Sequence, residues 1–255
     1  MTVFDFYAEL EKLYPRSLSC PWDNDGLMIA ADLSREVKRV AVALDATDDL
    51  LLAAGQNGFD TVLVHHPTLF RGAKTVTPAT YAGRRVLDAV RLDLSVICLH
   101  TRLDAGEGGV NECLCRALGF EPSGVFGDDE APTLARYADV PAMNGEELAA
   151  LVKEKLGVPF VKVTGPLERS IRRIGFCGGD GKELVPLALA AGCGAFVTGD
   201  AGYNMALDAG EDGLVTVEAG HYHTEFPVCE RLADLARRIA GAEAVILPSR
   251  KFRIL

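Results

Sequence analysis

The 255-residue sequence predicts an α/β protein built by internal duplication of an α-β-(βα)₃ unit with mainly parallel, mixed sheets. Two observations predict this class. Short apolar runs typical of buried strands alternate with segments of helical periodicity, which is the pattern of helices packed on a largely parallel sheet. The second half of the chain also repeats the pattern of the first half in register.

The predicted elements follow one another at short intervals along the chain. Apolar periodicity predicts helices over 3–14, 47–57, 81–92, 109–118 and 144–156. Runs of β-branched and apolar residues predict strands over 27–30, 38–44, 61–64, 94–99 and 159–163. Each half therefore begins with a helix and a strand, and further strand–helix pairs follow.

The duplication is visible as a gapless alignment. Residues 37–66 align with 171–200, and glycine and leucine positions are kept in common. Further along, residues 87–97 align with 207–217, which places a predicted helix end and strand before His221 as before His100. This predicts two repeats, 1–122 and 123–255, with their junction in the proline- and glycine-containing region 121–141.

Composition narrows the class of protein. The net charge is −10 and no basic stripe is visible, so nucleic acid is not an expected partner. No apolar run reaches the length of a membrane span, and the first residues lack the basic region of a signal peptide. The seven cysteines are scattered without a C-x-x-C pair, which indicates buried thiols in a reducing compartment. We therefore expect a cytoplasmic protein without membrane contact.

Histidines mark the expected functional edge of the sheets. All five follow the C-terminal end of a predicted strand: His65, His66, His100, His221 and His223. In open parallel sheets, sites form at that edge because the strand ends diverge into a crevice. A single histidine at a strand end is more often an ordinary core residue, but the whole set favours a site.

Two of these histidines belong to a repeated motif. "HTRLD" places His100 four residues before Asp104, and "HYHTE" places His221 four residues before Glu225. We predict that each motif lies in the loop leading to the next helix, whose positive end favours a carboxylate. His223 is the weakest candidate of the five, because its repeat counterpart is Arg102, and it is predicted to be solvent-exposed.

The adjacent pair His65 and His66 suggests more than one ion. Successive residues of an extended strand point to opposite sides, so this pair serves either two neighbouring ions or one ion and a supporting contact. With Asp104, His221 and Glu225, the set has three imidazoles and two carboxylates. This is the donor mixture of a dinuclear transition-metal site with one bridging carboxylate.

Other motifs are less specific. "CGGDGKE" at 177–183 resembles a phosphate-binding loop but lacks a Ser or Thr after Lys182, so a tight turn is predicted. In "PWDNDGLM", turn residues precede a strand, and Trp22 is predicted to pack against the protein. Asp200 aligns with His66 in the repeat, and it is a candidate for proton transfer together with His100.

Several of these segments together resemble one known family. "WDNDGL", "LVHHPTLFRG", "HTRLDAGEGGVNECL", "VTGD" and "GHYHTE" follow the order and spacing seen in the Nif-three-like dinuclear metal-binding proteins called GTP cyclohydrolase 1 type 2 homologues. The resemblance covers nearly the whole chain. It implies two intertwined α/β domains and a toroidal homohexamer with metal sites facing a central cavity.

The resemblance also implies how the metal ligands are shared. His66 and Asp104 would hold one ion, His65 and His221 the other, and Glu225 would bridge them. His100 would support the ligands or carry protons. The donors suit two divalent ions of zinc, iron, manganese, cobalt or nickel alike.

Two functions are compatible with this set. The first is a metal-dependent hydrolase acting on a small molecule, either a nucleotide, as the family name suggests, or a phosphoester. The second is a ring-shaped metal-binding or partner-binding regulatory protein without turnover. An open coordination position beside a substrate-sized cavity would favour the first.

Overall fold

The computed structural model describes residues 1–248, which form two compact units. The first unit contains Met1–Leu103 and the segment from Cys229 onward, and the second contains Asp104–Val228. Each unit has its own mixed sheet with helices, so the predicted α/β class is confirmed. The boundary predicted between the sequence repeats, at 122/123, remains a prediction, and the last seven residues of the second repeat lie outside the described residues.

The first unit is built on a five-stranded sheet in the order β1-β4-β3-β2-β11. Elements are numbered in chain order. Its strands are β1 (Gly26–Ile29), β2 (Arg39–Ala43), β3 (Thr61–Val64), β4 (Ser95–Cys98) and β11 (Glu243–Ile246). Its helices are α1 (Val3–Leu13), α2 (Asp48–Gln56) and α3 (Tyr81–Arg91), while α4 (Thr101–Ala105) and α10 (Val228–Leu235) lie where the chain leaves and re-enters the unit. Strand β1 is antiparallel to β4, and the other pairs are parallel.

The second unit is built on a six-stranded sheet in the order β5-β6-β8-β9-β10-β7. Its strands are β5 (Gly124–Phe126), β6 (Ala135–Met143), β7 (Lys162–Thr164), β8 (Ile171–Asp180), β9 (Ala195–Asp200) and β10 (Val215–Glu218). Its helices are α5 (Val110–Ala117), α6 (Gly145–Leu156), α7 (Val185–Ala190), α8 (Tyr203–Glu211) and α9 (His221–Glu225). Strands β8, β9 and β10 are parallel, and β7 pairs with β10 antiparallel.

The two sheets share a common part, as the duplication predicts. In each, three parallel strands run side by side, and the third of them pairs antiparallel with a strand that follows a helix: β1 after α1 in the first sheet, and β7 after α6 in the second. The sheets differ on the other side of this common part. There β2 has the parallel neighbour β11, whereas β8 has the antiparallel neighbour β6.

Buried side chains explain why these segments form sheets and helices. Strands β2, β3 and β4 consist mostly of β-branched and small apolar residues, and they are almost entirely buried between covering elements. Helix α1 begins with a capping box between Thr2 and Asp5, and α6 with one between Asn144 and Glu147. The sheets are therefore fixed by burial and the helix ends by local hydrogen bonds.

Three local predictions differ from the structure. The region 121–141, predicted as a junction, contains β5 and most of β6, because these segments pair with each other and β6 pairs with β8. The strand predicted over 159–163 is shorter and later, at Lys162–Thr164. The two H-x₃-acid motifs were predicted in loops, but the structure places Asp104 in the short helix α4 and both His221 and Glu225 in α9.

Candidate metal centre

Three imidazole rings meet at one edge of the first sheet. Strands β3 and β4 are parallel neighbours, with Val64 opposite Cys98, so the residues that follow them emerge at the same edge. The ring centroids of His65 and His66 are 4.9 Å apart, and His100 lies 5.2 Å from His65 and 5.9 Å from His66. One ligand atom from each ring lies within 4.8 Å of those of the other two, so this group could hold a metal ion.

The adjacent histidines do not point to opposite sides as the sequence suggested. Strand β3 ends at Val64, and the chain bends at His65 and His66, so the alternation of an extended strand no longer applies there. Their rings are inclined by 44° and lie side by side. Both imidazoles can therefore face the same ion or the same pair of ions.

Each of the three rings is held by an oxygen atom at its Nδ1 nitrogen. The contacts are His65 with the Leu99 carbonyl at 2.9 Å, His66 with Asp45 Oδ1 at 2.8 Å, and His100 with Asp23 Oδ1 at 2.9 Å. A carbonyl oxygen only accepts hydrogen bonds, so the Nδ1 of His65 carries the proton and Nε2 carries the lone pair. Oxygen partners of this kind orient metal-ligating histidines and fix their tautomer.

Asp23 and Asp45, which contact two of these rings, were not singled out as candidate site residues from the sequence. Asp23 lies in a segment that was interpreted only as turn chemistry. Asp45 follows the C-terminal end of β2, so the rule that located the histidines would also have located this carboxylate. A polar or charged residue just after a predicted strand was thus a usable signal, but the sequence prediction used it for histidines only.

The carboxylate of Asp23 is held in its ionised form. Burial opposes its charge, but the hydrogen bond and charge of His100, with the hydroxyl and backbone N–H of Thr101, lower the pKa of Asp23 to about 2. Both Thr101 groups donate to Asp23 Oδ2, at 2.5 and 3.0 Å. Asp23 therefore links the loop before β1 to the start of α4 and fixes the His100 ring.

The second unit presents a histidine and a carboxylate on one helical turn. His221 and Glu225 are four residues apart in α9, so both side chains lie on the same face. His221 Nε2 is 3.1 Å from Glu225 Oε2. Glu225 is 4% exposed, whereas about half of the His221 side chain is accessible. The turn thus combines a buried carboxylate with an accessible imidazole.

Glycines let the neighbouring strand ends approach this turn. A methyl group on Gly179 would overlap Glu225 Oε1 and lie 3.0 Å from His221 Nε2. A methyl group on Gly199 would lie 2.7 Å from the Cα atom of His221. Gly199 is the repeat counterpart of His65, so the second unit has backbone where the first has an imidazole. The segment "CGGDGKE" therefore supports α9 through the end of β8, and it does not form a phosphate-binding turn before a long helix.

Asp104 contributes a second carboxylate to the same unit. It lies in α4 and is partly buried. Burial, followed by the negative charges of Asp104 and Glu225, raises the pKa of the Cys177 thiol well above its usual value. The charges of both carboxylates therefore act on the same buried thiol.

The remaining sequence predictions have different outcomes. Asp200 is exposed at the end of β9 and accepts a hydrogen bond from the Gly202 backbone N–H at 3.0 Å, and its proposed role in proton transfer stays a prediction. His223 is 9% exposed, so the prediction of a solvent-exposed residue was wrong: α9 turns this ring inward. Trp22 was predicted to pack, but it is 58% exposed and makes edge contacts with Phe70 and His100.

The structure thus defines an α/β protein whose strand ends carry histidine and carboxylate groups suited to holding metal ions. Residues 1–250 match the family model Duf34/NIF3 (NGG1p interacting factor 3), and the chain belongs to this family. The match includes every candidate donor described above.

Relatives match nearly the full chain. The chain is 28% identical to the "GTP cyclohydrolase 1 type 2 homolog" of Clostridium perfringens, covering 98% of this chain and 97% of that protein. It is 30% identical to the protein of the same name from Streptococcus pneumoniae, with coverage of 94% and 92%. The crystal structure of the hypothetical protein SA1388 of Staphylococcus aureus superposes with a TM-score of 0.90 at 26% identity and covers 100% of this chain and 99% of that one.

Proposed function

We propose that this protein binds two divalent transition-metal ions and uses them to hydrolyse a small molecule. The observation that carries the proposal is the histidine group at the edge of the first sheet, in which each Nδ1 contacts an oxygen acceptor. This arrangement leaves Nε2 as the nitrogen that can coordinate a metal ion, as in known metal sites. The residues fit a transition metal because imidazole and carboxylate are suitable donors for such ions.

We propose five ligands for the dinuclear centre: His65, His66, Asp104, His221 and Glu225. Following the family resemblance, His66 and Asp104 would hold one ion and His65 and His221 the other. Glu225 would be shared between the two ions. The buried position of Glu225 supports this role, because a buried carboxylate is costly unless cations or hydrogen bonds compensate its charge. Zinc, iron, manganese, cobalt and nickel all remain suitable.

His100 and Asp200 are proposed to move protons. Two such ions, when bound, lower the pKa of water and polarise the bond to be cleaved. His100 has its Nδ1 fixed on Asp23, so Nε2 is the atom at which it accepts or donates a proton. Asp200 is the last residue of β9 and is accessible to solvent, which suits exchange of a proton with water.

A nucleotide or another phosphoester is the proposed substrate class. The relatives from Clostridium perfringens and Streptococcus pneumoniae carry the name "GTP cyclohydrolase 1 type 2 homolog", which supports a purine nucleotide.

Among residues 1–248, no helix has the length and apolarity needed to cross a bilayer. The seven cysteines are thiols, six of them buried, which supports a reducing compartment such as the cytoplasm. A toroidal homohexamer is the proposed assembly.

Metal content tests the dinuclear centre directly. Elemental analysis of protein reconstituted with Zn²⁺ should give close to two ions per chain. Glu225→Ala should lose both ions, because it removes the bridge, whereas Asp104→Ala should lose mainly one. Glu121→Ala, an exposed carboxylate paired with Arg116, is the matched control and should keep both. A reconstituted wild type that holds at most one ion would contradict the proposal.

Turnover distinguishes a hydrolase from a metal-binding protein without activity. Metal-loaded protein should hydrolyse at least one compound in a screen of nucleotides and phosphoesters, and Glu225→Ala should be inactive. If two ions are bound but no metal supports turnover, the ring-shaped regulatory alternative is the better account of the same ligands.

A further inference from the structure

Two large aromatic side chains stand exposed beside the histidine group. Trp22 is 58% exposed and Phe70 is 44% exposed. Their ring centroids are 6.0 Å apart with an interplanar angle of 66°. Each also contacts His100, with centroid distances of 6.3 Å for Trp22 and 6.1 Å for Phe70. The pair therefore forms an open aromatic corner that adjoins the candidate metal ligands of the first unit.

The loops that carry this corner are fixed by polar contacts. Asn24 Nδ2 donates to the Leu69 carbonyl at 2.6 Å, which ties the loop of Trp22 to the loop of Phe70. Asp23, the neighbour of Trp22, accepts the two Thr101 hydrogen bonds described above. Exposed aromatic rings on fixed loops are preorganised for binding, because little conformational entropy is lost when a ligand arrives.

The angle between the rings determines what can bind. Two rings inclined by 66° cannot enclose one flat ligand between parallel faces. A flat ring can stack on one of them while its edge meets the other, which are the favoured geometries of aromatic pairs. A nucleobase has the required shape, and stacking on protein aromatics is a common way of binding bases.

We propose that Trp22 and Phe70 form a subsite for the flat heteroaromatic ring of the substrate, and that they bind it next to the metal ligands. This inference rests on the proposed function for the identity of the substrate as a nucleotide. The base is held by the aromatic corner, and His100, which both rings contact, lies between the corner and His65 and His66. The subsite determines specificity and positioning and takes no part in the chemical step.

The sequence provides a direct reporter, because Trp22 is the only tryptophan of the chain. We expect guanosine 5′-monophosphate to quench the fluorescence of the Zn²⁺-loaded protein in a saturable manner. Ribose 5-phosphate, which lacks the base, should leave the fluorescence unchanged. No saturable quenching by the nucleotide would overturn the proposal.

Variants test both rings by calorimetry, which needs no tryptophan. Trp22→Ala and Phe70→Leu should each weaken binding of guanosine 5′-monophosphate on the order of tenfold, and Trp22→Phe should recover most of it. Phe160→Leu is the matched control, since Phe160 is 55% exposed and lies in the other unit, and it should bind like the wild type. Equal affinity of Trp22→Ala, Phe70→Leu and the wild type would overturn the proposal.

Two further measurements separate this inference from its alternatives. In Glu225→Ala, quenching by the nucleotide should persist even though the metals are lost, so failure of the metal proposal and failure of the subsite give different results. Size-exclusion chromatography tests whether the aromatic corner is instead a contact between copies of the chain. A changed molecular mass of Trp22→Ala with unchanged nucleotide affinity would assign the corner to that contact and overturn the subsite.

Discussion

Arg102 fixes the loop that presents Trp22. Its guanidinium is fully buried, and its Nε and Nη2 atoms donate to the two carboxylate oxygens of Asp25, each at 2.8 Å. It also contacts Glu11. Burial opposes the charge, but hydrogen bonds from Arg102 to Asp25 and Glu11 raise its pKa well above the usual value. A buried cation of this kind is stable only while its partners remain in place.

Replacement of Arg102 should therefore be costly. We expect Arg102→Met to lower the free energy of unfolding by about 3–5 kcal/mol, because it leaves the buried Asp25 carboxylate without its main cation. Urea denaturation measures the change. Arg238→Met is the control: Arg238 is mostly exposed and pairs with Asp234 on the protein surface, so its loss should cost less than about 1 kcal/mol. Equal losses in both variants would contradict this account.

Gly179 offers a second test at the scale of one residue. Its φ is +67°, and an added methyl group would overlap the carboxylate of Glu225. Gly157, at the end of α6, has a similar φ of +63° but nothing within 4 Å of the added carbon. Gly157→Ala should cost about 1 kcal/mol for the backbone conformation alone. Gly179→Ala should cost on the order of 1–3 kcal/mol more and reduce Zn²⁺ content, as measured by denaturation and elemental analysis.

A result in which the two glycine variants lose the same stability and keep the same metal content would show that α9 tolerates the methyl group. The close approach of β8 to Glu225 would then be a feature of packing without consequence for the centre.

At the element scale, the short helix α9 is held by the hydroxyl of Thr224. This fully buried Oγ1 accepts a hydrogen bond from the Gly179 N–H at 3.1 Å and lies 3.0 Å from the His221 carbonyl, to which it can donate. A helix of five residues has few internal hydrogen bonds, so its stability depends on such contacts. The contact between Thr224 and Gly179 thus fixes the turn that carries His221 and Glu225 to strand β8 of the sheet.

Exchange of this hydroxyl for a methyl group should loosen the turn. Thr224→Val should lower the free energy of unfolding by about 1–2 kcal/mol, because it leaves the buried Gly179 N–H without its acceptor. Thr216 is the matched control: it is fully buried in β10, and within residues 1–248 its hydroxyl has no hydrogen-bond partner. Thr216→Val should be neutral or stabilising by the same denaturation assay, and a larger loss there than at Thr224 would contradict the argument.

The elements also show what the sequence could predict about the site. The strands that precede the histidines of the first unit were predicted correctly because burial of β3 and β4 gives a clear apolar signal, and parallel pairing brings their ends together. Helix α9 was missed because five residues are too few to establish a helical period. The exposure of Trp22 was missed because it depends on anchors distant in sequence, such as the contact between Asn24 and Leu69. Likewise, β6 depends on pairing with β8, which lies about 30 residues further along the chain.

At the scale of the whole molecule, the first unit is discontinuous and the second is continuous. The chain leaves the first unit after Leu103 and returns to it at Cys229. Its sheet is completed by β11, which pairs with β2, and Arg39 on β2 contacts Glu243 on β11 at 2.9 Å. The second unit has its complete sheet and core within one stretch of chain.

This difference predicts unequal behaviour of fragments. The fragment 104–228 should unfold cooperatively in urea, because its buried core needs no other part of the sequence. The fragment 1–103 should not, because it lacks β11 and α10. Circular dichroism during denaturation distinguishes the two outcomes.

The control reconnects the discontinuous unit. A chain in which a long Gly/Ser linker joins 1–103 to 229–255 should recover cooperative unfolding. If 1–103 alone unfolds as cooperatively as this linked chain, then the returning segment contributes little to the first unit.

The late return of the chain also has a consequence in time. During synthesis on the ribosome, β2 emerges early, whereas its neighbour β11 is translated about 200 residues later. At roughly 5–20 residues per second, this interval is about 10–40 s. Throughout that period one side of β2 has unpaired backbone N–H and C=O groups, the kind of edge that pairs with other chains. The nascent protein is therefore exposed to misassociation at this edge until β11 has been made.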